Sequence, residues 1–288
     1  MTAMLRHDLS SITPLVAAVL ILLAASIPVP AAAAEPSFDC RTARTAREVA
    51  TCHDAKLAAA DRDMAAAWQD ALAHLDSATA KALREDQRQF LSGLDAGFDN
   101  EVWGKSGPPD DGAEMRKEIG ELRRGPDDQT PGNYSLRVLD GEFADRIAFL
   151  RNLTPADRAA PFAGLWKNEN AELLIEPADA GFYRVSFGTK AFGYTKYQCH
   201  FIGAFTASPD GLVAPVAHNI DSEINQDIRD NLHIARVGGT LTIDDDVPHQ
   251  GNGVDPYYIC PRVPSLTGPL FHTSLSAGQM HQLNPDKD

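Results

Sequence analysis

The sequence predicts an α+β protein: an N-terminal helical bundle domain followed by a small antiparallel β-barrel or sandwich domain. Three observations carry this expectation. Within residues 40–153, several stretches carry apolar side chains at three- or four-residue steps, as from Leu57 to Leu75, the spacing of one helix face. From Thr154 the texture changes to short runs of β-branched and aromatic residues separated by turn residues. The four cysteines also divide between these stretches, Cys40 and Cys52 in the first, Cys199 and Cys260 in the second.

The chain opens with the three parts of a secretory signal. Arg6 and His7 form a weakly basic start, Leu15 to Ile27 an apolar run, and Ala31 to Ala34 a small-residue cleavage site after Pro28 and Pro30. Residues 1–34 are therefore expected to be a signal peptide cut after Ala34. The apolar run falls short of the ~20 residues that a membrane span needs. No cysteine follows it at lipoprotein spacing, so no stable membrane anchor is expected. The mature protein is expected to be periplasmic or secreted.

Residues 35–153 form the helical domain. From Glu48 to Leu75, one face carries Val49, Leu57, Ala60, Met64, Trp68, Leu72 and Leu75. A second helix, Thr79 to Phe98, aligns Leu83, Phe90, Leu91, Leu94 and Phe98. Gly104 to Gly112 reads as a loop, and Met115, Ile119 and Leu122 as a short helix that Gly125 and Pro126 end. A last helix is expected from Ser135 to Asn152, with Leu136, Leu139, Phe143, Ile147 and Leu150 facing inward.

A linker, 154–161, leads to the β-domain, 162–271. Strands are expected at Leu173–Glu176, Phe182–Phe187, Tyr197–Phe205, Leu212–Val216, Leu232–Val237, Thr240–Ile243 and Tyr257–Cys260. Tyr183, Val185 and Phe187 alternate with Arg184 and Ser186, the mark of a half-buried strand. Residues 272–288 read as a polar, flexible tail.

The formal net charge is −14, and it divides evenly along the mature chain. Such a surface disfavours nucleic acid and anionic lipid. An even cysteine count in an exported chain implies two disulfides. Three pairings are open, and pairing within each segment, Cys40–Cys52 and Cys199–Cys260, is the most economical.

Signatures of catalysis are missing: there is no Gly-x-Ser-x-Gly, no His-Glu-x-x-His and no phosphate-binding glycine loop. Cys199 beside His200 reads as a disulfide cysteine next to a strand histidine. Asp244 to Asp246 lack the ligand spacing of a calcium loop and read as a solvated turn. Glu85, Asp86 and Asp95 read as helix-surface carboxylates, and the tryptophans as packing residues. No catalytic, cofactor-binding or metal-binding residue is assigned, and no cofactor is expected.

One constellation stands apart. Phe38-Asp39-Cys40 opens the mature chain, Cys52 follows, then Leu57 with Asp61, Trp68, Asp86-Gln87-Arg88 and Arg146-Ile147 with Leu150. Asp61 and Arg88 are placed to make a polar contact between the two main helices. This set, across about residues 37–152, resembles the LprI-type lysozyme inhibitors. Gly97 stands where that family often carries a further cysteine, and Gly104 to Gly132 looks like an insertion. The resemblance implies a non-enzymatic envelope protein that binds and inhibits lysozyme or a related muramidase. Lysozymes of animal hosts are strongly cationic, which suits an acidic partner. Gly104 to Gly112 and Asp244 to Gly253 are the exposed acidic loops that could enter such a cleft. The other expectation is an envelope accessory module that binds another envelope protein without inhibiting anything. The sequence leaves the oligomeric state open.

Overall fold

The computed structural model describes residues 35–125, 132–154, 162–169, 171–189, 199–208, 211–214, 217–219, 227–228, 232–245 and 268–276. Residues 1–34, expected to be a signal peptide, and most of the expected linker lie outside these residues. So do Tyr197, Gln198, Val216, Tyr257 to Cys260 and the tail beyond Ser276.

Five α-helices come first: α1 (Ala46–His53), α2 (Ala55–His74), α3 (Ser77–Trp103), α4 (Gly112–Glu121) and α5 (Asn133–Arg151). The expected continuous helix from Glu48 to Leu75 is two helices. Asp54 breaks it: its backbone is extended, and its carboxylate accepts the N–H groups of Lys56 and Leu57, starting α2 afresh. Asp76 starts α3 in the same way through Ala78 and Thr79, and Asp111 starts α4 through Ala113. Thr45 and Glu48 form a reciprocal capping box on α1. Caps of this kind each stabilise a helix by about 1 kcal/mol. The anticipated apolar stripes meet in one core that includes Val49, Leu57, Met64, Leu83, Phe98, Leu139 and Phe143.

The β-region is a closed eight-stranded antiparallel barrel. Its strands are β1 (Gly164–Lys167), β2 (Ala171–Pro177), β3 (Phe182–Thr189), β4 (Cys199–Ser208), β5 (Gly211–Ala214), β8 (Leu232–Val237), β9 (Thr240–Asp245) and β10 (Leu270–Thr273). They run in the order β3-β2-β1-β10-β9-β8-β5-β4, and the pairing of β3 with β4 closes the ring. Two short strands, β6 (Ala217–Asn219) and β7 (Asp227–Ile228), extend from β4. Alternation places Trp166, Leu173, Ile175, Val185, Phe187, Phe205, Ile234 and Leu241 in the apolar core of the barrel. Strand β10 escapes sequence reading because it is four residues long, follows a proline, and carries no alternation of its own. It includes His272 and Thr273, where the polar C-terminal stretch begins.

From Ala33 onward the chain forms one compact unit. On the outer face of the barrel, Leu165 and Lys167 of β1, Glu172 of β2, and Phe271 and Thr273 of β10 are buried. Phe271 belongs to the helical core and meets Phe149 of α5 edge-on, with ring centroids 6.1 Å apart. Backbone bonds from Thr154 to His272 and from Ser274 to Asn152 fasten β10 to the end of α5. Lys167 and Glu172, directly opposite each other on β1 and β2, form a buried ion pair. The Gly238–Gly239 hairpin sits against the start of α3, where a Cβ on Gly239 would come within 2.5 Å of Thr79 Oγ1.

Candidate functional site

The candidate site on the helical region is built from an N-terminal arm and an acidic corner. The arm is the extended stretch from Glu35, ending in one 3-10 turn, Cys40–Thr42. A disulfide joins Cys40 to Cys52 near the end of α1. Phe38 packs, partly buried, on the helical core. Ser37 N–H donates to Asp61 Oδ2 at 2.6 Å, and the Arg62 guanidinium donates to the Glu35 carbonyl. Asp39 accepts the Arg41 N–H and pairs with its guanidinium at 2.6 Å, which holds the Asp39 carboxyl below the usual carboxylate range.

The acidic corner lies where α3 runs out and α4 begins. Between residues 95 and 118 stand seven acidic and three basic side chains. Buried Arg47 of α1 holds Asp95, Nε to Oδ1 2.8 Å. One turn later, Asp99 Oδ1 is buried without a hydrogen-bond partner among the described residues. Burial, and then the charge of Asp95, raises the Asp99 pKa above its ordinary value. Trp103 Nε1 donates to Glu118 at 2.7 Å, which ties α3 to α4. Gly104 and Gly107 take φ of +58° and +69°, left-handed values that glycine adopts without strain. The loop they shape exposes Pro108, Asp110 and Asp111, with Glu101 and Glu114 exposed beside it.

One buried and one half-buried polar cluster hold the helices that carry this face. Asp86 of α3 and Arg146 of α5 are each 3% exposed and lie 2.7 Å apart, Oδ2 to Nη2. Arg146 Nε donates to Gln87, and its guanidinium lies over the rings of Phe90 and Phe149 at 4.8 and 4.7 Å. The other Asp86 oxygen accepts the Glu169 N–H from the β1–β2 turn at 2.9 Å. Asp54 and Asp140 both bind Arg124, and Lys56 also reaches Asp140. Burial raises the Asp54 pKa, but hydrogen bonds from Arg124 and from the Leu57 and Lys56 N–H groups outweigh it, so the net shift is downward.

Several expectations need correction. Asp61 and Arg88 do not meet: Asp61 holds the arm, and Arg88 pairs with Glu85 on its own helix. Of the three carboxylates read as helix surface, Glu85 alone is exposed, because Asp86 faces Arg146 and Asp95 faces Arg47. Asp244 and Asp245 are the last residues of β9 rather than a turn. The rest of Asp244 to Gly253 lies outside the described residues. Cys199 opens β4 opposite Thr189, but Cys260 lies outside the described residues, and the expected second bridge with it. The Asp86–Arg146 partnership went unread, although both residues stood in the motif, because 60 residues separate them in the chain.

No group of three potential metal ligands occurs among the described residues, and no helix among them is long and apolar enough to cross a membrane. A family model described as lysozyme inhibitor LprI matches residues 39–118. That stretch runs from the arm through α1, α2 and α3 into α4, and so includes both the disulfide and the acidic corner. No curated protein and no solved structure matches the chain.

Proposed function

We propose that this protein is exported and, in the periplasm or outside the cell, binds and inhibits lysozyme or a related muramidase through its helical region. The match of residues 39–118 to the lysozyme inhibitor model carries this reading. The matched stretch holds sixteen acidic and eleven basic residues, so it is net −5 in a chain of −14. A cationic enzyme would be steered toward such a surface, with an on-rate that falls as salt rises. The exposed acidic loop with Asp110 and Asp111 is the element that supports approach to a cleft.

A second reading, an envelope accessory module without inhibitory action, is favoured by one observation: the barrel meets the helices at Asp86 of α3, through the Glu169 N–H, and at Phe149 of α5, through Phe271. A lysis assay with residues 35–288 separates the two. Dose-dependent inhibition of lysozyme is expected at low salt. Charge reversal of Asp110, Asp111 and Glu114 to lysine is expected to weaken it at least tenfold. No inhibition and no binding at low salt would remove the first reading.

A further inference from the structure

We propose that the Cys40–Cys52 bridge is a redox latch: exchange with an external dithiol opens it and frees the arm, residues 35–42, from helices that stay folded. Cys40 is exposed, in a turn none of whose residues is buried, whereas Cys52 is half-buried in the last turn of α1. Incoming thiolate therefore reaches Cys40 Sγ. It bonds to that sulfur, the bridge breaks, and Cys52 leaves as a thiolate that takes a proton from solvent. The second thiolate of the dithiol then displaces Cys40, which leaves and is protonated in turn. The chain gains two electrons and two protons, and the dithiol becomes its own disulfide.

Without the bridge, the arm retains few attachments: partly buried Phe38, the Ser37 N–H on Asp61, and the Glu35 carbonyl on Arg62. Helix α1 does not share this dependence. It has its own capping box and buries Ala46, Val49 and Ala50 in the core. The bridge spans 12 residues. For a loop near that length in an unfolded chain, the chain-entropy estimate is about a hundredfold; with α1 folded, this is an upper bound on the change in the ratio of docked to free arm. Release also strips Asp61, which is 5% exposed, of the N–H that faces it. If the helical face binds lysozyme as proposed above, the same exchange weakens that binding. This extension rests on that reading, whereas the latch does not.

The test is native-state reduction of residues 35–288 with dithiothreitol, followed by alkylation and by hydrogen exchange on peptides from the arm and from α3. Expected are alkylation of both Cys40 and Cys52, at least a tenfold rise in arm exchange, and unchanged exchange in α3. The Cys40→Ser/Cys52→Ser variant is expected to show the free arm without reductant. If it does not fold, or if reduction occurs only together with α3 opening, the latch is overturned. Reduction with unchanged arm exchange overturns it equally. A lysis assay on the same samples separates the two ideas. A free arm with full inhibition overturns the regulatory extension, and no inhibition in the oxidised form removes the lysozyme reading while the latch stands.

Discussion

The helical region and the barrel bury their cores by different means. The barrel is filled by apolar side chains on a closed hydrogen-bonded ring, with Trp166, Phe187 and Phe205 fully buried. The helices share an apolar core and add ion pairs at their seams: Asp86 with Arg146, Asp95 with Arg47, and Asp54 and Asp140 with Arg124. A closed ring satisfies its backbone and leaves no open edge, and its filling is mostly apolar, with the Arg236 guanidinium over the Trp166 ring. Helices satisfy their backbones one by one, and nothing in that fixes how they pack against each other. Ion pairs at the seams can specify that arrangement, because a displaced helix would strand a buried charge.

The sharpest way to break this contrast is Arg146→Ala, which leaves Asp86 buried and unpaired. A loss of about 3–5 kcal/mol is expected, measured by urea unfolding. The double change Asp86→Leu/Arg146→Met should cost less than either single change. A loss below about 1 kcal/mol for Arg146→Ala would show that charge does not order the helices.

A somewhat smaller effect tests whether the two cores are joined. Phe271→Ala, a strand substitution, is expected to cost about 3 kcal/mol. It should speed hydrogen exchange in α5 as well as in β10. Faster exchange confined to the barrel would mean that Phe271 does not serve the helical core.

The smallest effects are pH-dependent and have opposite signs. The Asp54 carboxyl sits below its unfolded value of 3.8, so its stabilisation is present above that pH and is lost as pH falls through the folded value. Asp99 sits above 3.8, so its ionised form is penalised in the fold, and that penalty disappears as pH falls toward 3.8. Asp54→Asn keeps a competent cap but removes the charge facing Arg124, and should cost about 1 kcal/mol at neutral pH. Asp99→Asn should stabilise by about 0.5–1 kcal/mol at neutral pH and by nothing near pH 3. Thermal melts across pH 3–7 measure both, and a destabilised Asp99→Asn at pH 7 would contradict the corner described above.

Much of the fold was legible because it is local. The periodic stripes of Leu83, Leu94 and Phe98, or of Leu139 and Phe143, mark core faces wherever their helices pack. The alternation of Val185 and Phe187 marks a strand in either a barrel or a sandwich. Asp54 shows the limit: it lies in the gap between Val49 and Leu57, and its capping chemistry splits there what the sequence reads as one helix. At the candidate site, the Cys40–Cys52 bridge and the acidic loop were readable from spacing and composition. Asp61 stands out in the sequence, but its partner is the arm rather than Arg88, since sequence does not say which helix faces meet.

By itself, then, the sequence determined the α-then-β order, the near-neighbour disulfide, the acidic surface and the helix-forming stripes. All of these follow from the chemistry of residues close together in the chain. Only the tertiary structure decided the closure of the barrel, which depends on β3 finding β4, and the placing of Phe271 in the helical core. It alone joined Asp86 to Arg146 across α3 and α5 and to Glu169 on the barrel. Each of these is a long-range pairing, and its energy exists only once the chain has brought distant residues into contact and excluded water from between them.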